Sequence, residues 1–210
     1  MYKLNTVNQF RILLGVLLCL TLQFLAPSLV RASVAEPNEV IEERFQSIQG
    51  LIENKVLVPG MSEEALLELM DQELSPVFDF PRVARKVMGK FARNASKDQL
   101  SRFTGIFKKT LIATYSKGLE QIDQLDHVEV EKTVLDKKGT RAKVSSYVVL
   151  KNGQKYQVVY SLFLKEGRGW LVENINVEGV NIGVVFRNQF AHYMEQYNQS
   201  IDKVLTHWGE

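Results

Sequence analysis

Between Glu39 and Lys55, apolar side chains recur at Val40, Ile41, Phe45, Ile48, Leu51 and Ile52, the i, i+3, i+4 spacing that lines one face of an amphipathic helix. Pro59-Gly60 ends that segment. Ser62 is placed to cap a second helix. Its first turn carries Glu63 and Glu64, favourable at the positive end of the helix dipole, and Leu66, Leu67, Leu69, Met70 and Leu74 form its apolar stripe. Pro76 closes it. The spacing predicts a third helix from Phe80-Pro81 to Phe91 or Ala92, with the proline in the first turn, where its missing N–H costs nothing. Ser96 and Gln99 read as the capping box of a fourth, with Leu100, Phe103, Ile106, Phe107, Leu111 and Tyr115 on one face.

After Gln124 the period changes from 3.6 to 2. Val128/Val130, Ala142/Val144/Ser146/Val148/Leu150, Tyr156/Val158/Tyr160/Leu162/Leu164 and Leu171/Ile175/Val177 give four strands. Their links, Asp136-Lys137-Lys138-Gly139, Asn152-Gly153 and Glu166-Gly167-Arg168-Gly169, are short and contain glycine, which joins antiparallel neighbours into a meander. A last helix over 182–205 carries Val184, Val185, Phe186, Phe190, Tyr193, Met194 and Tyr197. Helices before and after an antiparallel sheet define an α+β domain, with helices packed on a four-stranded twisted sheet.

The start of the chain has a different pattern. Lys3 and Arg11 precede an apolar run from Ile12 to Leu25, and small residues follow at Ala32, Ser33 and Ala35. That reads as a secretory signal peptide over residues 1–35, cleaved after Ala35 or Ala32, with residues 36–210 as a single domain. A membrane anchor needs about 20 apolar residues, and Thr21, Gln23 and Pro27 interrupt this run. Cys19 is the sole cysteine, and Leu18 stands before it where a lipidation site wants a small residue. Cleavage therefore leaves no disulfide, thiol nucleophile or thiolate ligand, and stability must come from an apolar core.

Cleavage after Ala35 also removes Lys3, Arg11 and Arg31, leaving 23 basic against 24 acidic residues and turning the formal charge from +2 to −1. The basicity belongs to the leader, so nucleic acid is not an expected partner. What remains is unevenly placed: residues 36–79 hold eleven acids against Arg44 and Lys55, whereas residues 80–120 hold ten bases against Asp98 and Glu120.

Reactive chemistry is sparse. His127, His192 and His207 are not spaced as paired helical metal ligands, and no Gly-x-Ser-x-Gly elbow, HExxH or phosphate-cradling glycine loop is present. Neither catalysis nor a metal or other cofactor is expected. Two features stand out. On a helical wheel Arg82, Arg85, Lys86, Lys90 and Arg93 share one half, either as a solvated face or as a stripe facing lipid headgroups or an acidic partner. The second is the aromatic and aliphatic load on sheet and helices, which is a core if it packs densely and an apolar ligand cavity if it packs around a gap.

The stretch Pro76-Val77-Phe78-Asp79-Phe80, followed by Arg85, Val87-Met88-Gly89 and Ala95-Ser96-x-x-Gln99, resembles the central signature of the MlaC family of periplasmic phospholipid-binding proteins. Trp170-Leu171-Val172-x-x-Ile175, Val177-Glu178-Gly179-Val180-Asn181-Ile182 and Phe186-Arg187-x-x-Phe190 resemble its second. The departures are Ala92 where a tryptophan is usual, Asn181 where a serine is, and Phe186 where a tyrosine is. The resemblance implies a non-enzymatic periplasmic shuttle with a cone-like fold. It would hold phospholipid acyl chains between sheet and helices and touch membranes transiently. It would pass cargo between an MlaD-type inner-membrane transporter complex and an MlaA-type outer-membrane lipoprotein complex, maintaining outer-membrane lipid asymmetry. A hopanoid or other lipid carrier of the same family, or a non-catalytic periplasmic adaptor with a solid core, are the alternatives.

Three expectations follow. An elongated apolar pocket should be lined by Val87, Phe103, Phe107, Leu111, Val144, Val148, Val158, Tyr160, Leu162, Ile175, Val177 and Phe190. Arg82, Lys86, Lys90 and Arg93 should face headgroups or a partner at its rim. Asp79, Arg85, Glu178 and Arg187 should be structural, Asp79 or Glu178 pairing with one of the two arginines, and Gly89 and Gly179 should serve close packing or a positive φ.

Overall fold

The computed structural model describes residues 35–116 and 123–209, so all but the last residue of the expected leader lies outside the described residues. The described residues form six α-helices and a five-stranded sheet: α1 Pro37–Glu53, α2 Glu63–Leu74, α3 Phe80–Met88, α4 Lys97–Ser116, β1 Leu125–Leu135, β2 Arg141–Leu150, β3 Lys155–Lys165, β4 Gly169–Val177, β5 Val180–Asn181, α5 Ile182–Gln196 and α6 Ile201–His207. None of the described helices is long and apolar enough to cross a membrane.

Local chemistry starts each helix where its first N–H groups need acceptors. Glu36 and Glu39 form a reciprocal cap on α1, ahead of Pro37. Ser62 Oγ accepts from the Ala65 N–H at 3.2 Å. Asp79 Oδ1 accepts from the Arg82 N–H at 3.1 Å. The Ser96–Gln99 box closes with two bonds of 3.0 Å. Asn181 Oδ1 accepts from the Val184 N–H at 3.0 Å, so the asparagine performs the capping task that a serine would.

The sheet is the expected antiparallel meander, in order β1-β2-β3-β4-β5, with the two-residue β5 as an addition. Register puts Val144, Tyr160 and Ile175 in one cross-strand row and Ser146, Val158 and Val177 in another. The fourth strand departs from simple alternation. Ser161 pairs with Asn174 and Leu162 with Val172, leaving Glu173 as an extra residue. Leu171 is thereby turned away from the face that carries Ile175 and buried on the other one, and Trp170 and Val172 take its place.

Two helix boundaries also differ from the periodicity. The third helix stops at Met88 because Gly89 adopts φ +57° and ψ −126°, and residues 89–93 continue as a 3₁₀ turn. The final helix is two helices. Asn198 and Gln199 take left-handed φ of +51° and +64°, and Ser200 then caps α6.

Three apolar clusters hold the chain. One is helical: Phe103 is fully buried, with Phe190 and Trp208 ring centroids at 4.9 and 5.1 Å, and Val87, Met88, Phe186 and Val204 pack around them. Each such ring removed from water contributes about 1.5–3 kcal/mol. A second joins α1 to the sheet through Ile41, Val144, Leu162, Trp170 and Val172. The third joins α1, the α1–α2 loop, α2 and α4 through Ile48, Leu57, Leu66, Met70 and Ile112. Charge is laid across these joints. Asp71 of the acidic stretch meets Lys108 of the basic one at 2.7 Å, and the Lys108 hydrogen bond, followed by that of Ser75, holds the Asp71 carboxyl below the usual range.

Of the four charges expected to be structural, the two acids find other partners than those expected, and Arg85 and Arg187 are exposed without an ion pair among the described residues. Asp79 pairs with Lys165 at 2.5 Å, and Glu178 Oε1 accepts from the Gln157 backbone N–H. Neither takes Arg85 or Arg187, because the sheet brings the end of β3 beside Asp79 and the start of β3 beside Glu178. Burial resists ionisation of Asp79, but Lys165 and the Arg82 N–H outweigh it and keep the carboxyl below its ordinary value. Of the two alternatives, close packing or a positive φ, Gly89 and Gly179 take the second, with φ of +57° and +82°.

Candidate functional site

Where the three clusters meet, packing is incomplete. An apolar cavity of about 370 Å³ opens between helices and sheet, touched by members of every cluster: Ile41 and Val172, Met70 and Ile112, Phe107 and Phe186. Phe45 and Ile48 of α1 and Leu74 of α2 close one wall, and Tyr160, Ile175 and Val177 of β3 and β4 another. Val77 and Phe78, Phe80 and Val83 of α3, Leu111 of α4, and Ile182 and Gly183 of α5 complete it. Protein interiors rarely leave voids much larger than a water molecule. At about 24 cal/mol per Å³ an enclosed void of this size would cost about 9 kcal/mol, an upper bound where part of the lining is wet. That is comparable to the whole stability of a domain, so the space is a feature rather than a packing fault.

Of the twelve residues expected around a pocket, Phe107, Leu111, Tyr160, Ile175 and Val177 line this one. Val144 and Leu162 lie in the sheet cluster, and Val87, Phe103 and Phe190 lie in the helical cluster. Val158 is buried and Val148 half-buried without lining the cavity. Absent from the expectation are the whole contribution of α1 and α2, the Val77-Phe78 segment, and the polar wall residues Arg44, Glu173 and Asn174. The apolar face of α1 was visible as Ile41, Phe45 and Ile48, but helical periodicity does not say which layer a face packs against.

The polar wall is well ordered. Glu173, the extra residue of β4, is 7 % exposed and sits 2.8 Å from Arg82 Nε, 2.7 Å from Lys86 Nζ and 3.7 Å from Arg141 Nη1. Burial works against its charge, yet Lys86 and Arg82 together hold the carboxyl below the usual glutamate range. Arg82 and Lys86 are thus engaged with Glu173, and Arg82 also lies 4.0 Å over the Phe163 ring. Lys90 and Arg93 are exposed on the 3₁₀ turn. The expected stripe is divided, with its first half folded onto an acid. Arg82, Arg141 and Lys165 also line a separate polar cleft of about 470 Å³, together with Asp79, which pairs with Lys165, and Glu166.

Elsewhere on the wall, Asn174 Oδ1 accepts from the Gly183 N–H and its Nδ2 donates to Asn181 Oδ1, each at 3.0 Å, tying β4 to the start of α5. Tyr160 is half-buried, and its removal from water raises the phenol pKa despite a hydrogen bond with Ser146. Arg44 Nη1 donates to Glu73 Oε2 at 2.6 Å, and Ser47 Oγ donates to the same oxygen at 2.8 Å. Among the described residues no group of three or more His, Cys, Asp or Glu is placed to hold a metal ion.

Fold and cavity together define a class of protein: an α+β domain built as a container with apolar walls. The family described as MlaC protein matches residues 39–210, and the chain belongs to that family. It is 29 % identical over 182 residues to the toluene tolerance protein Ttg2D of Pseudomonas putida, covering 86 % of this chain and 83 % of that one. Its fold is similar to that of a phospholipid-binding protein from Ralstonia solanacearum solved in complex with a phospholipid. The TM-score is 0.68 at 23 % identity, over 80 % of this chain and 90 % of that one.

Proposed function

We propose that this chain is a periplasmic lipid carrier that encloses phospholipid acyl chains in the cavity and ferries them between the inner and outer membranes. The observation that carries this reading is the cavity itself. Its volume falls within the 300–1,000 Å³ of ligand sites, and its wall is apolar on nearly every side. Membership of the MlaC family and the phospholipid held by the Ralstonia protein of similar fold support the same reading.

The physics of the task matches the container. Each methylene taken from water is worth about 0.8 kcal/mol, so a two-tailed lipid pays roughly 20 kcal/mol or more to cross an aqueous gap unwrapped. A wall made of Phe45, Phe107, Ile175 and Phe186 removes that cost without forming a covalent bond. On this reading residues 1–35 direct export, an MlaD-type complex and an MlaA-type complex are the donor and acceptor, and membrane contact is transient. Native mass spectrometry of protein purified without detergent tests it. Co-purifying phospholipid is the expected result. A co-purifying hopanoid would reassign the cargo, and a ligand-free mass that persists after incubation with phospholipid vesicles would refute carriage.

A further inference from the structure

Among the described residues two charged side chains line the apolar cavity, Arg44 and Glu173, and they are held differently. Glu173 is saturated, with three cations within 4 Å of its carboxylate. Arg44 is not. It touches Glu73 through Nη1 alone, Ser47 shares the oxygen it uses, and its Nε–H is buried with no acceptor among the described residues. A guanidinium offers five donors in a planar fork that fits a carboxylate or phosphate through two parallel bonds. A simple clasp between α1 and α2 would spend that fork on Glu73. Here a single nitrogen makes the clasp, and the side chain, its buried Nε–H unpaired, lines the cavity beside Ile41, Phe45 and Ile48.

Position strengthens the point. The Arg44 side chain is 26 % exposed and also lines the cavity, so it stands at a boundary between water and the apolar wall. An amphipathic cargo needs that boundary, with tails inside and an ionised head where a matching charge is partly solvated. Leaving a buried donor without an acceptor is costly in a resting protein, and a ligand oxygen would satisfy it. Glu73 does not need to leave, because one guanidinium serves two acceptors on different edges.

Building on the carrier reading above, we infer that Arg44 is the headgroup anchor of the cavity. It selects lipids with an anionic oxygen next to their tails, whether the phosphodiester of a glycerophospholipid or the carboxylate of a free fatty acid, over neutral lipids of the same chain length. Glu73 and Ser47 are positioning residues that hold the guanidinium at the wall.

The test reloads delipidated protein from an equal mixture of phosphatidylglycerol, oleic acid and diacylglycerol with matched chains, and reads the bound species by native mass spectrometry. Wild type should favour the ionised lipids over diacylglycerol by tenfold or more, the ratio of the first two showing whether phosphate or carboxylate is preferred. Arg44→Gln should abolish that preference while still taking up diacylglycerol, and Arg44→Lys should keep part of it. Full preference in folded Arg44→Gln overturns the inference. Should Arg44→Gln fail to fold by its melting curve, Glu73→Gln decides: the amide oxygen still holds the guanidinium at the wall while the competing negative charge is gone, so the preference for ionised lipids should rise, and an unchanged or lowered preference overturns the inference equally. Uptake of all three lipids without discrimination by wild type refutes the anchor alone, whereas uptake of none refutes the carrier reading.

Discussion

Ile175→Trp distinguishes a cavity from a packed core by the sign of its effect. Ile175 lines the cavity on β4 opposite Tyr160 and is half-buried. Tryptophan adds about six heavy atoms to the side chain and buries roughly 150–250 Å² in all. At about 25 cal/mol per Å², the gain over isoleucine is of order 2 kcal/mol if space exists for the indole. In a filled core the same change forces strained rotamers and costs about 1–3 kcal/mol. For a domain of this length 1 kcal/mol moves Tm by about 2–4 °C. Lipid-free Ile175→Trp should therefore melt about 4–8 °C above lipid-free wild type. Lipid retention should move the other way. Six methylene equivalents displaced from the site at about 0.8 kcal/mol each come to about 5 kcal/mol, an affinity loss of roughly a thousandfold or more. Differential scanning fluorimetry of delipidated protein reads the first effect, and native mass spectrometry after reloading reads the second. A variant that melts lower than wild type and still carries lipid would refute the reasoning.

Removing the carboxylate at Glu173 leaves Arg82, Lys86 and Arg141 facing one another while still partly in water, so Glu173→Ala should lose about 1–3 kcal/mol in urea titration. Because the folded-state pKa of Glu173 is depressed, its contribution is complete above the unfolded glutamate pKa and is lost as pH falls through the folded value. Wild-type stability should therefore drop below about pH 4 more steeply than that of Glu173→Gln; parallel profiles would show that the carboxylate is not the coupled group. Gly179 follows Glu178 in a two-residue turn with φ +82° and +49°, and nothing crowds its missing Cβ. Gly179→Ala should cost about 1–2 kcal/mol by backbone strain alone, roughly 2–8 °C in Tm, and an unchanged melting curve would exclude that cause. Lys90→Glu with Arg93→Glu should weaken transfer to anionic vesicles in a salt-dependent way, since exposed charges are screened within about 10 Å at 0.1 M salt. Equal transfer by wild type and variant at every salt concentration would leave those residues as a solvated face.

The α+β class, the meander and the helix starts were legible because local chemistry determines them. Ser62, Asp79, the Ser96–Gln99 pair and Asn181 each cap the helix that their position announces. The break at residues 197–200 had a weaker signal, Asn198 before Ser200, which the continuous apolar spacing of Phe190, Tyr193 and Tyr197 concealed. The extra residue at Glu173 carried no signal of its own, because a bulge is decided by what the neighbouring strands accept. It reversed the faces of β4 relative to strict alternation and so moved Leu171 away from the face it was assigned to. The cavity was legible only in part for a related reason. Periodicity identifies which residues of Phe103, Phe107 and Leu111 share a helix face, but Phe103 meets Phe190 and Trp208 while Leu111, two turns on, meets open space. Whether an apolar residue touches a neighbour or a void depends on the arrangement of all the layers.

The separation of the apolar residues into three clusters has a consequence for the working cycle. The aromatic stack around Phe103, the sheet-side group around Val172 and the small α1–α2–α4 group around Met70 each keep an interior of their own, and the cavity is bounded by their outer sides. On the carrier reading, cargo serves as mortar between finished blocks. Emptying the container withdraws contacts from three surfaces at once but dismantles none of them, so one sequence can satisfy two demands that usually conflict: gripping a greasy molecule along its length and surviving intact after giving it away.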